Sequence, residues 1–318
     1  MSGADRTVRW RVGALAAVGA LALSLCAPAE PDLEAPAVQP RDETVRVAYV
    51  PWSSEIASSN VLRAVLEERL GYRVQMIELA PEQMWAAIAT GEADVSVSAW
   101  LPVTHREYWE RHGSRVVDLG PHVEGVRTGL VVPRVSVGRQ TEETGRRVSP
   151  YIPVTSIDEL GDYADRFGNR IMGIDPEAGI MTRARAALEA YGLEDEFRLV
   201  VADERRMVDA LTAAVQRQQW IVVTGWTPHW VFSRWELAFL EDPKGVFGDR
   251  EAIHTMVREN LPGEMPQLAA VLERFSWDIR DMSRVMLWIE QDGGVDPYAA
   301  ALRWVRANAA KVDAWLGE

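Results

Sequence analysis

The chain has 318 residues, a formal net charge of −13 and thirteen tryptophans. This negative charge argues against a nucleic-acid partner and against strong attraction to an anionic lipid surface. Beyond the N-terminal segment no stretch is long and apolar enough to cross a membrane, and the remaining length of roughly 275 residues is sufficient for two lobes with their own cores.

Residues 1–29 have the pattern of a signal peptide. Three arginines precede an apolar run at residues 12–25 that is too short to span a membrane as a helix. Cys26 ends this run in a lipobox-like LSLC sequence, which predicts a lipidated mature N-terminus, whereas the APA sequence at residues 27–29 fits ordinary signal cleavage. We predict a periplasmic or extracytoplasmic protein, lipid-anchored in the first case, with a Pro-rich acidic tether at residues 30–43.

Strands and helices alternate along most of the remaining chain. Runs of β-branched or alternating apolar residues predict strands at residues 45–50, 73–79, 94–99, 126–132, 170–174, 198–201 and 220–224. Helical periodicity predicts helices at residues 58–70, 82–90, 178–190 and 204–216, and residues 252–316 are expected to be mainly helical. This order is typical of an α/β fold with a mostly parallel sheet.

The α/β pattern is interrupted once, which divides it into two units. Residues 134–150 are polar and lack periodicity, so we predict an exposed loop or insertion there. We assign residues 44–133 and 238–318 to a first lobe and residues 134–237 to a second, with a cleft between them. Ligands of open α/β sheets bind beyond the carboxyl ends of strands, so this cleft is the expected site.

Three tryptophans each follow a predicted strand by one or two residues: Trp52 in VAYVPWSSE, Trp100 in SVSAWLPVTH and Trp226 in IVVTGWTPHW. One such tryptophan would usually be a packing residue. Three together favour an aromatic cage, because a quaternary ammonium has no hydrogen-bond donor and is held mainly by the negative faces of aromatic rings. Among the other tryptophans, which we expect to pack in the core, Trp85 and Trp230 are candidates for supporting the cage.

The sequence carries no enzyme signature. There is no G-x-S-x-G elbow, no P-loop, no H-E-x-x-H and no cysteine besides Cys26. His105 and His112 are seven residues apart, but no third residue is spaced to complete a zinc site. We therefore predict a binding protein without a metal or cofactor.

The segments around the three tryptophans resemble the glycine betaine/proline betaine substrate-binding proteins of ABC transporters. Matching stretches include VAYVPWSSEIASSNVL, MWAAIATGEADVSVSAWLPVTH, IMGIDPEAGIM and IVVTGWTPHWVFSRWEL, and the resemblance covers about residues 44–317. It implies a two-lobed periplasmic-binding-protein fold of type II-like topology, with the ligand in a cleft between the lobes. In the family Trp52, Trp100 and Trp226 correspond to the cage for the trimethylammonium group.

The resemblance also implies how the other end of the ligand is held. His105 matches the histidine that meets the ligand carboxylate, and Gly179 and Ile180 match the pair whose backbone amides bind it. These amides lie at a predicted helix start, where free N–H groups favour an anion. Glu177 stands where the family commonly has glycine, so its side chain is expected to turn outward. His229 is expected to start a helix or to support Trp226.

These features lead to one main functional hypothesis. We predict a monomeric extracytoplasmic receptor that binds glycine betaine, or a related zwitterion, and delivers it to an ABC permease for osmoprotection. Receptors for choline or carnitine, and a sensor of quaternary amines, remain alternatives, and an enzyme acting on such amines is a third. Choline is disfavoured because it has no carboxylate to contact His105.

Overall fold

The computed structural model describes residues 41–134 and 151–317. The predicted signal peptide, Cys26, most of the tether and most of the 134–150 insertion lie outside these residues. Within them the strands are β1 (Thr44–Tyr49), β2 (Arg73–Glu78), β3 (Val95–Leu101), β4 (Val116–Pro133), β5 (Arg170–Met172), β6 (Arg198–Val200), β7 (Val223–Thr227), β8 (Leu237–Phe239) and β9 (Glu251–Arg258).

Helices cover the faces of these strands. They are α1 (Ser53–Glu68), α2 (Pro81–Thr90), α3 (Arg106–His112), α4 (Gly179–Tyr191), α5 (Glu204–Arg217), α6 (Val231–Arg234), α7 (Leu261–Glu264), α8 (Pro266–Arg274), α9 (Ile279–Gln291), α10 (Pro297–Ala307) and α11 (Ala309–Leu316). None of the helices in the described residues combines the length and the apolar character needed to cross a membrane.

The strands form two sheets that share β4, in the order β2-β1-β3-β9-β4-β7-β5-β6 with β8 also paired to β4. In the first lobe β1 pairs parallel with β2 and β3, while β9 runs antiparallel between β3 and β4. In the second lobe β5 pairs parallel with β6 and β7, while β7 and β8 run antiparallel to β4. The two-lobed α/β architecture is as predicted.

The pairing of β4 changes partner between its two halves. Residues Val116 to Val126 pair with β9, and residues Arg127 to Val131 pair with β7. One continuous strand therefore connects the lobes. The lobe limits proposed at residues 133/134 and 237/238 stay a prediction.

Two sequence-based expectations about strands were wrong. Residues 252–258 were expected to be helical but belong to β9, which lies between β3 and β4. The burial of Glu251, Ile253, Thr255 and Val257 follows the period of two that is typical of a strand. The strand expected at residues 126–132 begins ten residues earlier, at Val116, where shifts in register disguise the alternation. Because β9 is antiparallel to both neighbours, the sheet is mixed rather than mostly parallel.

The first lobe is anchored by α1, which packs against the strands on one side and against α9 and α10 on the other. The C-terminal helices enclose an aromatic cluster in which Trp304 lies edge-to-face with Trp277 at 5.4 Å and stacks with Trp315 at 5.7 Å between ring centroids. These three tryptophans are buried, so they act in packing, as expected for tryptophans outside the cage segments.

Candidate functional site

A small pocket lies between the two lobes, at the carboxyl ends of β1, β3 and β7. Its cavity volume is about 20 Å³, room for little more than one water molecule, so the pocket is narrow. The lining residues come from both lobes and are Trp52, Trp100, Thr104, Thr128, Ile174, Ala178, Gly179, Ile180 and Trp226.

The three predicted cage tryptophans all line this pocket. Trp52 is the residue before α1, Trp100 is the penultimate residue of β3, and Trp226 lies within β7. Their exposed fractions are 7%, 3% and 5%. The indoles are therefore almost completely withdrawn from bulk water, which strengthens any contact that they make with a cation.

Two of these indoles donate their ring N–H to a carboxylate. Trp52 Nε1 donates to Asp175 Oδ2 at 3.1 Å, and Trp100 Nε1 donates to Glu55 Oε1 at 2.6 Å. Charge-assisted hydrogen bonds of this kind fix the orientation of the ring. They also keep the indole electron-rich, which makes its face more attractive to a cation.

His105 lies behind the pocket, in the turn that follows β3, and is completely buried. Its Nδ1 accepts a hydrogen bond from the backbone N–H of Trp100 at 3.2 Å, and Trp85 Nε1 lies 3.4 Å from the same atom. Burial lowers the pKa of His105 to about 3, so the imidazole is neutral and carries its proton on Nε2. Nε2 has no hydrogen-bond partner among the described residues.

This unpaired nitrogen has a direct chemical meaning. A buried donor without an acceptor costs free energy, on the order of 1–3 kcal/mol. The ring centroid of His105 is 6.3 Å from that of Trp52, so an anionic group of a ligand held by the cage is a suitable acceptor. His105 itself is not among the residues that line the empty pocket.

Gly179 and Ile180 are the first two residues of α4, after Ala178 at the N-cap. The first amides of a helix have no partner within it and favour an anion. Gly179 also lies against the first lobe: a Cβ at this position would be 2.0 Å from the carbonyl oxygen of Thr104. Only glycine allows the lobes to approach so closely here.

Hydrogen bonds join the lobes around the pocket. The backbone N–H of Ser53 donates to Glu204 Oε2 at 2.9 Å, and the Ser53 hydroxyl also donates to this carboxylate. The Tyr108 hydroxyl donates to the backbone carbonyl of Glu177. The side chain of Glu177 is exposed, as expected for a carboxylate next to an anion site. Together with the bond from Trp52 to Asp175, these contacts hold the lobes closed.

The predicted supporting residues surround the cage without lining the pocket. His229 Nδ1 accepts from the backbone N–H of Val231 at 3.2 Å, and its ring lies 4.7 Å from that of Trp226. His229 Nε2 lies 3.1 Å from Glu204 Oε1. Trp230 is buried and its ring lies 5.7 Å from that of His229.

Sequence reasoning missed two buried carboxylates at the site, Glu55 and Glu251. Glu251 Oε1 accepts from the backbone N–H groups of Val103 and Thr104, both at 2.7 Å, and Oε2 accepts from the Thr104 hydroxyl. It thereby fixes the turn that carries His105. The available sequence signal was the β-branched alternation of Ile253, Thr255 and Val257 directly after Glu251. The helical interpretation of residues 252–316 concealed it.

Among the described residues no cluster of three or more His, Cys, Asp or Glu side chains is arranged to hold a metal ion. The site therefore consists of aromatic faces, backbone amides, one neutral imidazole and buried carboxylates. This set of groups suits a small ligand that has a quaternary ammonium, with no N–H, at one end and an anionic group at the other.

Residues 43–307 match the protein family described as the substrate binding domain of the ABC-type glycine betaine transport system. The chain belongs to this family. Its members are extracytoplasmic substrate-binding proteins of transporters, as the sequence resemblance implied, so the expected class of function is confirmed.

Solved members of the family share the fold. Lactococcal OpuAC in its closed-liganded conformation, complexed with glycine betaine, is 36% identical, with 86% of this chain and 100% of that chain covered and a TM-score of 0.77. The glycine betaine, L-proline-binding protein ProX from Borrelia burgdorferi is 33% identical, with 86% and 96% covered and a TM-score of 0.78. These likenesses confirm the two-lobed periplasmic-binding-protein fold.

A curated relative is the glycine betaine/carnitine transport binding protein GbuC of Listeria monocytogenes serotype 1/2a (strain 10403S). It is 41% identical over 172 residues, which are 54% of this chain and 55% of that protein. The chain thus spans about half the length of this relative.

Proposed function

We propose that this member of the family binds glycine betaine, or a closely related quaternary-ammonium zwitterion, between its lobes and delivers it to an ABC permease. The observation that carries the proposal is the pocket itself, where Trp52, Trp100 and Trp226 meet the first amides of α4. In this proposal the trimethylammonium group is held between the three indoles, which move apart to admit it. The carboxylate fits against the amides of Gly179 and Ile180 and the Nε2–H of His105.

The energetics of this arrangement are adequate for a transport receptor. A desolvated cation–π contact is worth about 2 kcal/mol, so three give about 6 kcal/mol. Hydrogen bonds to a carboxylate add roughly 1.5–3 kcal/mol each, while association costs several kcal/mol. The balance supports a Kd in the range of about 1 µM.

The proposal includes a conformational step. The cage tryptophans and the carboxylate contacts come from both lobes, so a bound zwitterion bridges them and stabilises the closed form by hinge closure. The lobes in this proposal are residues 44–133 with 238–318, and residues 134–237. In this proposal no bond in the ligand is made or broken. The test is an NMR spectrum of glycine betaine recovered after incubation with the protein, which should be unchanged.

The decisive measurement is calorimetric titration of residues 30–318 with glycine betaine and then with choline. We expect tight binding of glycine betaine and weak binding of choline, because choline has no carboxylate. Equal binding of both would favour a choline or carnitine receptor, and binding of neither would overturn the proposal. Permease and ATPase genes beside this gene would distinguish transport from a sensory role.

We further propose that the mature protein is a monomer attached to the membrane by a lipid on Cys26. The support is the LSLC sequence at residues 23–26, which resembles a lipobox. Metabolic labelling with a radioactive fatty acid should mark the wild-type protein and not a Cys26→Ser variant. Labelling of neither protein would favour cleavage near residues 27–29.

A further inference from the structure

A carboxyl group without a cationic partner lies directly behind the aromatic cage. Glu55 is the third residue of α1 and is 0% exposed. Its Oε1 accepts the indole N–H of Trp100 at 2.6 Å, and its Oε2 pairs with the hydroxyl of Ser54. None of the ion pairs formed within residues 41–134 and 151–317 includes Glu55. A buried carboxylate of this kind is costly unless a cation compensates it.

We propose that Glu55 is the counter-charge of the bound ammonium group, and that ligand binding drives its ionisation, with a proton leaving the protein as the ligand enters. The cation that Glu55 lacks is then supplied by the ligand on the other side of the Trp100 indole. This inference rests on the proposed function, because it requires a cation in the cage.

The local hydrogen bonds allow both protonation states without rearrangement. When Glu55 is ionised, Oε1 accepts from Trp100 and Oε2 accepts from Ser54. When it is protonated, Oε2 carries the proton and donates it to the Ser54 hydroxyl, which serves equally as donor or acceptor. Both carboxyl oxygens of Glu55 therefore remain hydrogen-bonded when the proton is gained or lost.

The electrostatic environment makes this exchange possible near neutral pH. Burial raises the pKa of Glu55 to about 7, the hydrogen bonds from Ser54 and Trp100 oppose this, and the charge of Glu204 adds to it. A cation that enters the cage lowers the pKa again, because an opposite charge favours the ionised form. Both states of Glu55 are populated around pH 7 before the ligand binds.

Other charged and titratable groups surround α1 and the cage. On the pocket side, Glu204 of α5 is engaged by Ser53 and by His229, Asp175 accepts from Trp52, and burial keeps His105 neutral. On the opposite side, Arg63 lies over the Tyr298 ring of α10 and Arg306 of α10 pairs with Glu68, while Glu290 of α9 lines a separate pocket together with Ser53 and Ile56. Of the three carboxyl groups Glu55, Glu204 and Asp175, Glu55 is the one that is completely buried.

The sign of the effect follows from linkage. Since the ligand lowers the pKa of Glu55, the affinity for the ligand rises with pH between the pKa of Glu55 in the complex and its pKa of about 7 in the free protein, and is constant above that. The total gain is about tenfold for each pKa unit by which the ligand shifts Glu55. The ligand carboxyl group titrates well below this range and does not contribute.

The test is calorimetric titration with glycine betaine between about pH 5.5 and 8.5, in two buffers of different ionisation enthalpy. For the wild-type protein we expect the affinity to increase at least several-fold with pH. The heat should depend on the buffer near neutral pH, in the direction of proton release. Glu55→Gln retains an oxygen that accepts from Trp100, so it should bind with a pH-independent affinity close to that of the wild type at low pH.

Glu177→Gln is the matched control, because it removes an exposed carboxylate beside the pocket and should keep the wild-type pH profile. Binding whose affinity and heat are independent of pH and buffer in the wild type would overturn the role of Glu55 and leave the proposed function intact. A pH dependence that persists in Glu55→Gln would assign it to another group and also overturn the role. Absence of glycine betaine binding at every pH would instead overturn the proposed function. If Glu55→Gln does not fold, the buffer dependence of the wild-type heat decides alone.

Discussion

Among the individual residues, Trp100 connects the two ends of the site. Its indole N–H is bonded to Glu55, its ring lines the pocket, and its backbone N–H is bonded to His105. The residue thereby positions one face of the cage and also holds the imidazole in the tautomer that presents Nε2–H. Substitutions at Trp100 and His105 are not expected to be independent, because residues in one hydrogen-bond network couple.

Replacing Trp100 with alanine should weaken glycine betaine binding by at least tenfold. Loss of one cation–π contact of about 2 kcal/mol corresponds to roughly 30-fold in Kd. Because the backbone N–H is retained, the bond to His105 survives. Titration calorimetry measures the loss, and Trp109→Ala is the control, since Trp109 is 36% exposed and does not line the pocket. An unchanged Kd for Trp100→Ala would remove Trp100 from the cage.

Replacing His105 with alanine should weaken glycine betaine binding more than choline binding. Only the zwitterion has a carboxylate to accept the Nε2–H, so the affinity ratio between the two ligands should fall. Competition titrations with both ligands provide the measurement. If both affinities decrease by the same factor, His105 acts only through packing. The effect should be constant from about pH 5 to 8, because the pKa of His105 lies near 3.

That Trp52, Trp100 and Trp226 meet at one pocket could be predicted from sequence, because each lies in a segment of unusual composition next to a strand end. Glu55 and Glu251 could not, because a carboxylate within a helix or strand reveals nothing about its partners until the fold brings them together. Gly179 was predicted as a site residue because of its free backbone amide. The sequence could not show that the carbonyl of Thr104 leaves no room for a side chain there, because this depends on how closely the lobes approach.

Among the secondary-structure elements, the start of α4 and the turn after β3 form the contact on which closure depends. Predicted strands with clear β-branched runs and helices closed by glycine agree with the structure within a few residues, except for α1, whose first turn was missed. The failures were β9 and the first half of β4. In those segments polar residues alternate with buried ones, and the neighbours that make them strands are distant in sequence.

Replacing Gly179 with alanine should impair closure. The added Cβ would lie 2.0 Å from the Thr104 carbonyl oxygen, so α4 and the turn would have to separate. We expect at least a tenfold loss of glycine betaine affinity with little change in the melting temperature of the unliganded protein. Gly263→Ala in α7 is the matched control, because a Cβ added there would have no neighbouring atom within 4 Å. Equal affinities in the two variants would contradict the role of this contact.

For the protein as a unit, the main consequence of the fold is that residues from both lobes line one pocket. The bonds from Trp52 to Asp175, from Ser53 to Glu204 and from Tyr108 to Glu177 already connect the lobes around the pocket. Hydrogen bonds of this kind contribute modestly, on the order of 1 kcal/mol each. The zwitterion adds contacts to both sides, so the equilibrium should move further towards the closed form.

Glycine betaine should therefore stabilise the protein and make it more compact. At a ligand concentration about 100 times Kd the free energy of unfolding increases by about 2.7 kcal/mol, which raises the melting temperature by several degrees. Small-angle scattering should show a smaller radius of gyration for the wild-type protein when glycine betaine is added. The radius of gyration of the Gly179→Ala variant should not change on addition of the ligand. A melting shift without contraction would indicate binding to one lobe only.

The path of β4 and the position of β9 determine the order in which the lobes are completed. The second sheet is built from strands that lie between residues 127 and 239, so its contacts are formed within one continuous stretch of chain. The first sheet needs β9, which inserts between β3 and β4 although it follows them by more than a hundred residues. Closing so long a loop is slow. We therefore expect the lobe encoded first to be completed last, because its sheet needs residues 251–258 between β3 and β4.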